Sequence, residues 1–312
     1  MAEIKYFVPI NNEGTPCFVW YFDGKGVSRV GIPDPKNSPK SYIAANSEQD
    51  LLAAIATQFE DFFNYGAPHV LKQMKLKPGQ YYSRMARPTD IKSSESPGNC
   101  PEPKLYEHEI ALSKGQLVSL MDRLKQICQT IHPVTETYKS YGHEIRNLLI
   151  LACTEVEAQW KSILEIHQVS PQNGKYYTTK DYAKLNQAMH LNEYIISLTH
   201  YPWLSGFHPF KEWDSDKPTE SLDWYDAYNK VKHDREKNFQ EAKLIHAINA
   251  VCACMIMLLA QFGRQQVTRA RQEVAHFFEL IEAPKWCASE LYTYPYTYDG
   301  ITSGYTSIKY PF

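Results

Sequence analysis

The sequence predicts a mainly α protein: a helical bundle over residues 104–285, preceded by a small α+β domain over 1–103 and followed by a tyrosine-rich tail over 286–312. Three observations carry this. After Leu105, apolar residues recur at three- and four-residue spacing in stretch after stretch. Before Pro103, aromatic and β-branched runs flank a glycine-containing turn. Between the two regions, Lys92–Pro103 has the serine, proline and glycine content of a linker, which sets the domain boundary there.

In the first region, Cys17–Phe22 and Val27–Ile32 read as strands around the turn Asp23-Gly24-Lys25-Gly26, a hairpin pattern. Pro33, Pro35 and Pro39 mark a loop. Ser47 is placed to cap a helix carrying Leu51, Leu52, Ile55, Phe59, Phe62 and Phe63 on a helical repeat. In the second region, Ser113 is read as the cap of a helix that ends before His132-Pro133, because proline disfavours helix at the residue before it. A longer helix is expected over 141–166, and another after Thr178 or Thr179 that includes Ile195 and Leu198. A loop rich in tryptophan and proline follows over 201–223, with Trp203, Trp213 and Trp224 placed to lock it onto the bundle. One long helix is expected over 224–262, polar in its first half and apolar from Leu244, with a shorter helical stretch over 264–281. The tail alternates Thr and Tyr and reads as a strand pair, a docked segment or a disordered one.

Composition narrows the function classes. With 43% hydrophobic residues, the 312-residue chain can bury a substantial core. A net charge of −2 supplies no global basic field, so any nucleic-acid site must be a local patch. The 7 cysteines are scattered and form no CxxC pair, and Cys252 and Cys254 read as core residues. Neither His108-Glu109 nor His143-Glu144 has metal-ligand spacing, so no metal and no cofactor are expected. A glycine-rich phosphate loop and a Gly-x-Ser-x-Gly elbow are both missing. The first residues lack an apolar signal core and Ala247–Phe262 is short for a bilayer, so a cytoplasmic protein without a membrane segment is expected.

The polar half of the 224–262 helix holds the candidate site. Asn229 and His233 lie four residues apart and share a face; Lys232 and Arg235 flank them. Histidine moves protons near neutral pH, and lysine and arginine hold phosphate. On the 141–166 helix, Arg146, Ile150, Cys153, Glu157 and Lys161 run along one side, and Glu155 along another. Charges among so many apolar residues need partners. Glu155 or Glu157 is therefore expected beside Lys232, His233 or Arg235, and a carboxylate beside His233 would raise its pKa and fix its tautomer.

The run Tyr228-Asn229-Lys230-Val231-Lys232-His233-Asp234-Arg235, with Trp224 before it and the helix from Gly142 through Arg146 to Lys161, resembles HEPN-like helical domains. The resemblance covers about Leu105–Phe262. It implies a helical bundle and, in active members, a metal-independent endoribonuclease. Such members dimerise so that two arginine–histidine motifs face one cleft, many in antiviral defence or toxin–antitoxin settings. On that resemblance His233 matches the motif histidine and Asn229 the polar residue that follows the arginine. Tyr228 stands where the arginine would be, with Arg235 just past the histidine as a substitute. His233, Asn229 and Arg235 are then the catalytic candidates, Lys232, Lys230 and Arg146 the RNA-phosphate contacts, and Tyr228, Glu155 and Glu157 the supporting groups. RNA and a second copy of the chain are the implied partners. A literal arginine–histidine match at Arg271–His276 lies past the last long helix and reads as chance. The tyrosine at the arginine position motivates a second expectation, a non-catalytic module that dimerises or binds a protein partner. The bland alternative is a buried polar network that fixes helix register.

Overall fold

The computed structural model describes residues 3–11, 14, 16, 18–32, 36, 41–62, 68–89, 98–269, 272–295, 297–298, 301–302 and 304–312. Cys17, Pro33, Pro35, Pro39, Phe63, Arg271 and the first part of the stretch read as a linker lie outside the described residues, as do the side chains of Phe59, Phe62 and Arg235. Two compact units are present. One comprises Met1–Tyr82, Arg87–Ser94 and Trp286–Ile308; the other comprises Ser83–Ala86, Glu95–Lys285 and Lys309–Phe312. The architecture is an N-terminal α+β region followed by a mostly helical one.

The first unit begins with β1 (Lys5–Asn11), β2 (Trp20–Phe22), β3 (Gly26–Arg29), β4 (Tyr42–Ala44), α1 (Leu51–Phe62), β5 (Pro68–Gln73) and β6 (Gln80–Tyr82). Five strands form an antiparallel sheet in the order β4-β3-β2-β1-β5. The expected β2–β3 hairpin is there. Its turn is held by Asp23, whose Oδ1 accepts the backbone N–H groups of Lys25 and Gly26 at 3.0 Å each. Phe7 opposite Trp20 and Phe22 opposite Val27 put four apolar side chains on one face. Leu51 and Ile55 of α1 complete the core with them.

The second unit contains α2 (Glu107–Thr130), α3 (His143–Ile166), α4 (Thr179–Tyr182), α5 (Lys184–Met189), β7 (Ile195–Leu198), α6 (Asp223–His233), α7 (Arg235–Asn238), α8 (Leu244–Phe262), α9 (Arg264–Thr268), α10 (Gln272–Phe277) and β8 (Phe278–Glu282). α8 packs against α2, α3 and α6. It is apolar on every side because it is enclosed on every side: from Ala250 to Phe262 all its residues are buried. By length and composition the 19-residue α8 is a helix that a bilayer would accept, with a mean hydropathy of 1.9 over an 18-residue window, yet 83% of that window is buried inside the protein. α8 begins at Leu244, where the sequence turns apolar.

Four expectations need correction. α2 starts at Glu107, so Ser113 lies inside the helix and caps nothing. Ile195 and Leu198 are strand residues: His190 adopts φ 52°, a left-handed conformation that ends α5. The β-branched run after it then pairs with β8, Ile196 opposite Leu280 and Leu198 opposite Phe278. The stretch 264–281 is two short helices and a strand rather than one helix. Most important for the site, the helix expected over 224–262 is broken. Asp234 leaves helical geometry at φ −141°, ψ 82°, and its side chain caps α7 by accepting the Lys237 N–H at 3.3 Å. A turn over Phe239–Glu241 follows, and Lys243 is extended and bridges to Tyr141.

The chain then returns to the first unit with β9 (Thr297–Tyr298), β10 (Ile301–Thr302) and β11 (Thr306–Ile308). β11 pairs in parallel with β6, and the buried Tyr292 meets Tyr81 edge-on at 6.3 Å. Of the three readings of the tail, two describe these residues: β9 and β10 form an antiparallel strand pair, and β11 docks on β6.

Candidate functional site

The site grows from α6. Its inner face is aromatic: Trp224, Tyr225 and Tyr228 are buried. Behind it stands Trp160 of α3, with ring centroids 5.4 Å from Tyr225 and 4.8 Å from Trp213 of the 201–223 loop. The indole N–H groups of Trp213 and Trp224 donate to the carbonyls of Pro218 at 3.0 Å and Pro209 at 2.7 Å, and that of Trp203 donates to Pro133 at 2.7 Å. All three tryptophans pin the loop, as their positions in the sequence suggest.

Glu157 is the hub where α3 meets α6. Its carboxylate accepts the Tyr225 hydroxyl at 2.5 Å and the Tyr228 hydroxyl at 3.0 Å. Lys232 donates to the Tyr228 oxygen at 2.8 Å, sits 4.8 Å from the centre of that ring, and lies 4.0 Å from the Glu157 carboxylate. Burial, then the bond to Glu157, pushes the Tyr225 hydroxyl far above the ordinary tyrosine range, so it stays a donor. The Tyr228 bond, then Glu157, raises Lys232 further, so its ammonium is charged at neutral pH. The expected approach of a glutamate to Lys232 is thus present, made by Glu157.

Glu155 points elsewhere. It accepts from Gln159 at 2.7 Å; Gln159 in turn accepts from Gln261 at 2.8 Å, and Gln261 accepts from Arg84 Nε at 2.8 Å. This second network runs through the interior of the helical unit and touches none of the α6 residues. Sequence reading missed Arg84, which lies far from the bundle along the chain. It also missed Tyr225 as the second hydroxyl on Glu157, although its place on the Asn229–His233 stripe was visible.

The remaining candidates are dispersed around the hub. His233 is exposed and closes α6; none of the described hydrogen bonds or ion pairs uses it, and the carboxylate expected beside it serves the two tyrosines. Asn229 spends its amide N–H on its own helix, at the Tyr225 carbonyl 3.1 Å away. Lys230 forms a 2.6 Å pair with Asp226 one turn back. Arg235 opens α7. His276 is exposed on α10.

Arg146 joins the same seam through helix geometry. Glu157 lies beside Tyr225 and Tyr228, while His143 lies beside Phe239, with ring centroids 4.9 Å apart. α3 and the 225–239 segment therefore run antiparallel. His143, Arg146, Ile150, Cys153 and Glu157 share one face of α3 at alternating three- and four-residue steps. Arg146 falls between the two contact points on α3, as Lys232, His233 and Arg235 do on the other segment. Its Nε is buried and has no hydrogen-bond partner among the described residues. Chemically, this seam places Lys232, His233 and Arg146 along the same pair of segments, and the Glu157 carboxylate is occupied by two hydroxyls. It suits an anion that carries its own acceptors. Among the described residues no group of three or more metal-ligating side chains occurs. Comparison of the chain with protein-family models, with curated proteins and with solved structures finds no match in any of the three.

Proposed function

We propose that the α3–α6 seam binds RNA through backbone phosphates, as an HEPN-like helical domain. The observation that carries this reading is the division of labour at Glu157: its charge is spent on Tyr225, Tyr228 and Lys232, leaving the exposed His233 at the helix end outside that network. Lys232 stays charged and half-exposed beside it. Phosphate oxygens satisfy such donors and contribute affinity without sequence preference. Strand scission requires a base that takes the proton of the attacking ribose 2′-hydroxyl and an acid that protonates the departing 5′-oxygen. One copy of the site offers one imidazole, so the proposal assigns scission to a pair of copies facing each other and binding to each copy.

Fluorescence anisotropy with a mixed single-stranded RNA pool tests this. Lys232→Ala should weaken binding across all sequences and reduce the slope of log affinity against log salt by about 1. His233→Ala should weaken it too while leaving the melting temperature unchanged, because the exposed imidazole has no described partner to lose. Equal binding by the wild type and the double variant, or no binding by either, rejects the proposal.

A second reading has its own support in Tyr228. Its hydroxyl is committed on both sides, donating to Glu157 and accepting from Lys232. The position where active HEPN domains carry arginine is therefore used for internal bonding, which favours a non-catalytic module for dimerisation or protein binding. A chain that self-associates at micromolar concentration and ignores RNA selects this reading.

A further inference from the structure

His167 ends α3 and is buried, 4% exposed. Its two ring nitrogens have unlike partners. Nε2 stands 2.9 Å from the carbonyl oxygen of Ser83, which can only accept, so Nε2 carries the hydrogen. Nδ1 stands 2.9 Å from the backbone N–H of Tyr310, which can only donate, so Nδ1 is a bare acceptor. The two bonds select one tautomer of the neutral ring. A second proton has nowhere to go but Nδ1, where it would face another N–H.

Further described contacts hold the segment Lys309–Phe312. Lys309 donates to the Gln168 side chain. The Phe312 ring meets the imidazole edge-on at 5.8 Å, and Tyr310 lies 4.6 Å from Phe312. All four residues are exposed or half-exposed. Among these described contacts, the bond from the Tyr310 amide to Nδ1 is the one that protonation of His167 abolishes.

We propose that residues 309–312 are a proton-released latch: protonation of His167 at Nδ1 breaks the bond from the Tyr310 amide and frees the segment from the end of α3. The described charged groups on the elements packed around the ring, Glu165, Arg84 and Lys309, have other partners. On α3, Glu165 pairs with Lys161 at 3.7 Å. On the 83–86 segment, Arg84 is bonded to Gln261 and Ser162. On the docked segment, Lys309 reaches Gln168, and Tyr310 contributes its amide. Burial, opposed by the Ser83 bond, holds the imidazole below the ordinary histidine range. The sign follows. Once freed, the ring titrates near about 6.5. The latch is fully closed above that value and weakens as pH falls toward the lower value of the docked ring, by about tenfold per pH unit in that window.

Amide hydrogen exchange at Tyr310 in the full chain, corrected for the intrinsic rate, reads the latch from about pH 8 to about pH 5. The wild type should keep its protection at the alkaline end and lose about tenfold per unit below about 6.5. His167→Gln keeps a donor and an acceptor without a titrating group, so its protection should be flat with pH. Wild-type protection independent of pH, or the same loss in His167→Gln, overturns the proposal. Should that variant not fold, the imidazole nitrogen shifts of wild-type His167 decide: Nδ1 protonation must coincide with loss of Tyr310 protection. A segment that stays docked on a protonated ring contradicts the latch.

Discussion

Trp160→Ala is expected to lower the stability of the helical unit by about 3–5 kcal/mol, the largest loss of any single side-chain truncation near the site. Trp160 is fully enclosed. Its ring contacts Tyr182 at 5.3 Å, Trp213 at 4.8 Å, Tyr225 at 5.4 Å, and Phe210 and Trp224 at 6.3 Å each. Removing it opens a cavity that five rings border, and rigid rings close such a space poorly. The indole N–H of Trp160 has no hydrogen-bond partner among the described residues. Trp160→Phe therefore loses ring volume but also removes a buried unsatisfied donor, and should cost about 1–2 kcal/mol. Urea denaturation separates the pair: both variants should shift the midpoint with little change in slope. A loss below about 1 kcal/mol for the alanine variant contradicts the aromatic packing around Trp160.

Gly263→Ala is expected to be comparably damaging, for a backbone reason. Gly263 follows α8 at φ 79°, ψ 163°, a region open to glycine and closed to other residues. There it bridges to Asn99. A Cβ would collide with the carbonyl oxygen of Gly98 and stand 2.9 Å from the Asn99 Cα, both backbone atoms that side-chain rotation cannot move. Backbone strain of about 1–3 kcal/mol adds to overpacking of similar size, so a total of about 3–5 kcal/mol is expected. Calorimetry checks it, and a melting temperature within about 2 °C of the wild type refutes it.

Much of this was legible in the sequence. The β2–β3 hairpin announces itself through Asp23-Gly24 between aromatic and β-branched runs. α3 and α8 follow from helical periodicity, and the loop-pinning tryptophans from their proline neighbours. The failures have physical causes. Periodicity alone carried one helix from Trp224 to Phe262, while Asp234 was already a capping residue followed by Arg-Glu-Lys; cap chemistry outranked periodicity there. Ile195–Leu198 fits a helix face by spacing, but its strand state depends on β8, more than eighty residues later, which no local pattern reveals. At the site, the sequence suggested that a glutamate of α3 approaches Lys232. It did not show that Tyr225 and Tyr228 would capture the carboxylate, because a hydroxyl within reach competes with an imidazole only once the helices are docked. Arg84 lay beyond reach for the same reason: its partners Gln261 and Ser162 belong to segments far along the chain.

Whether RNA lies on the α3–α6 seam is most directly measured by photo-crosslinking the full chain to a single-stranded RNA carrying 4-thiouridine, then sequencing the adducted peptides. The account predicts adducts concentrated on the peptide spanning Tyr228 to Asn238, with a second set around Arg146, both diminished in the Lys232→Ala, His233→Ala double variant. Adducts that fall elsewhere and are indifferent to that double substitution would contradict it.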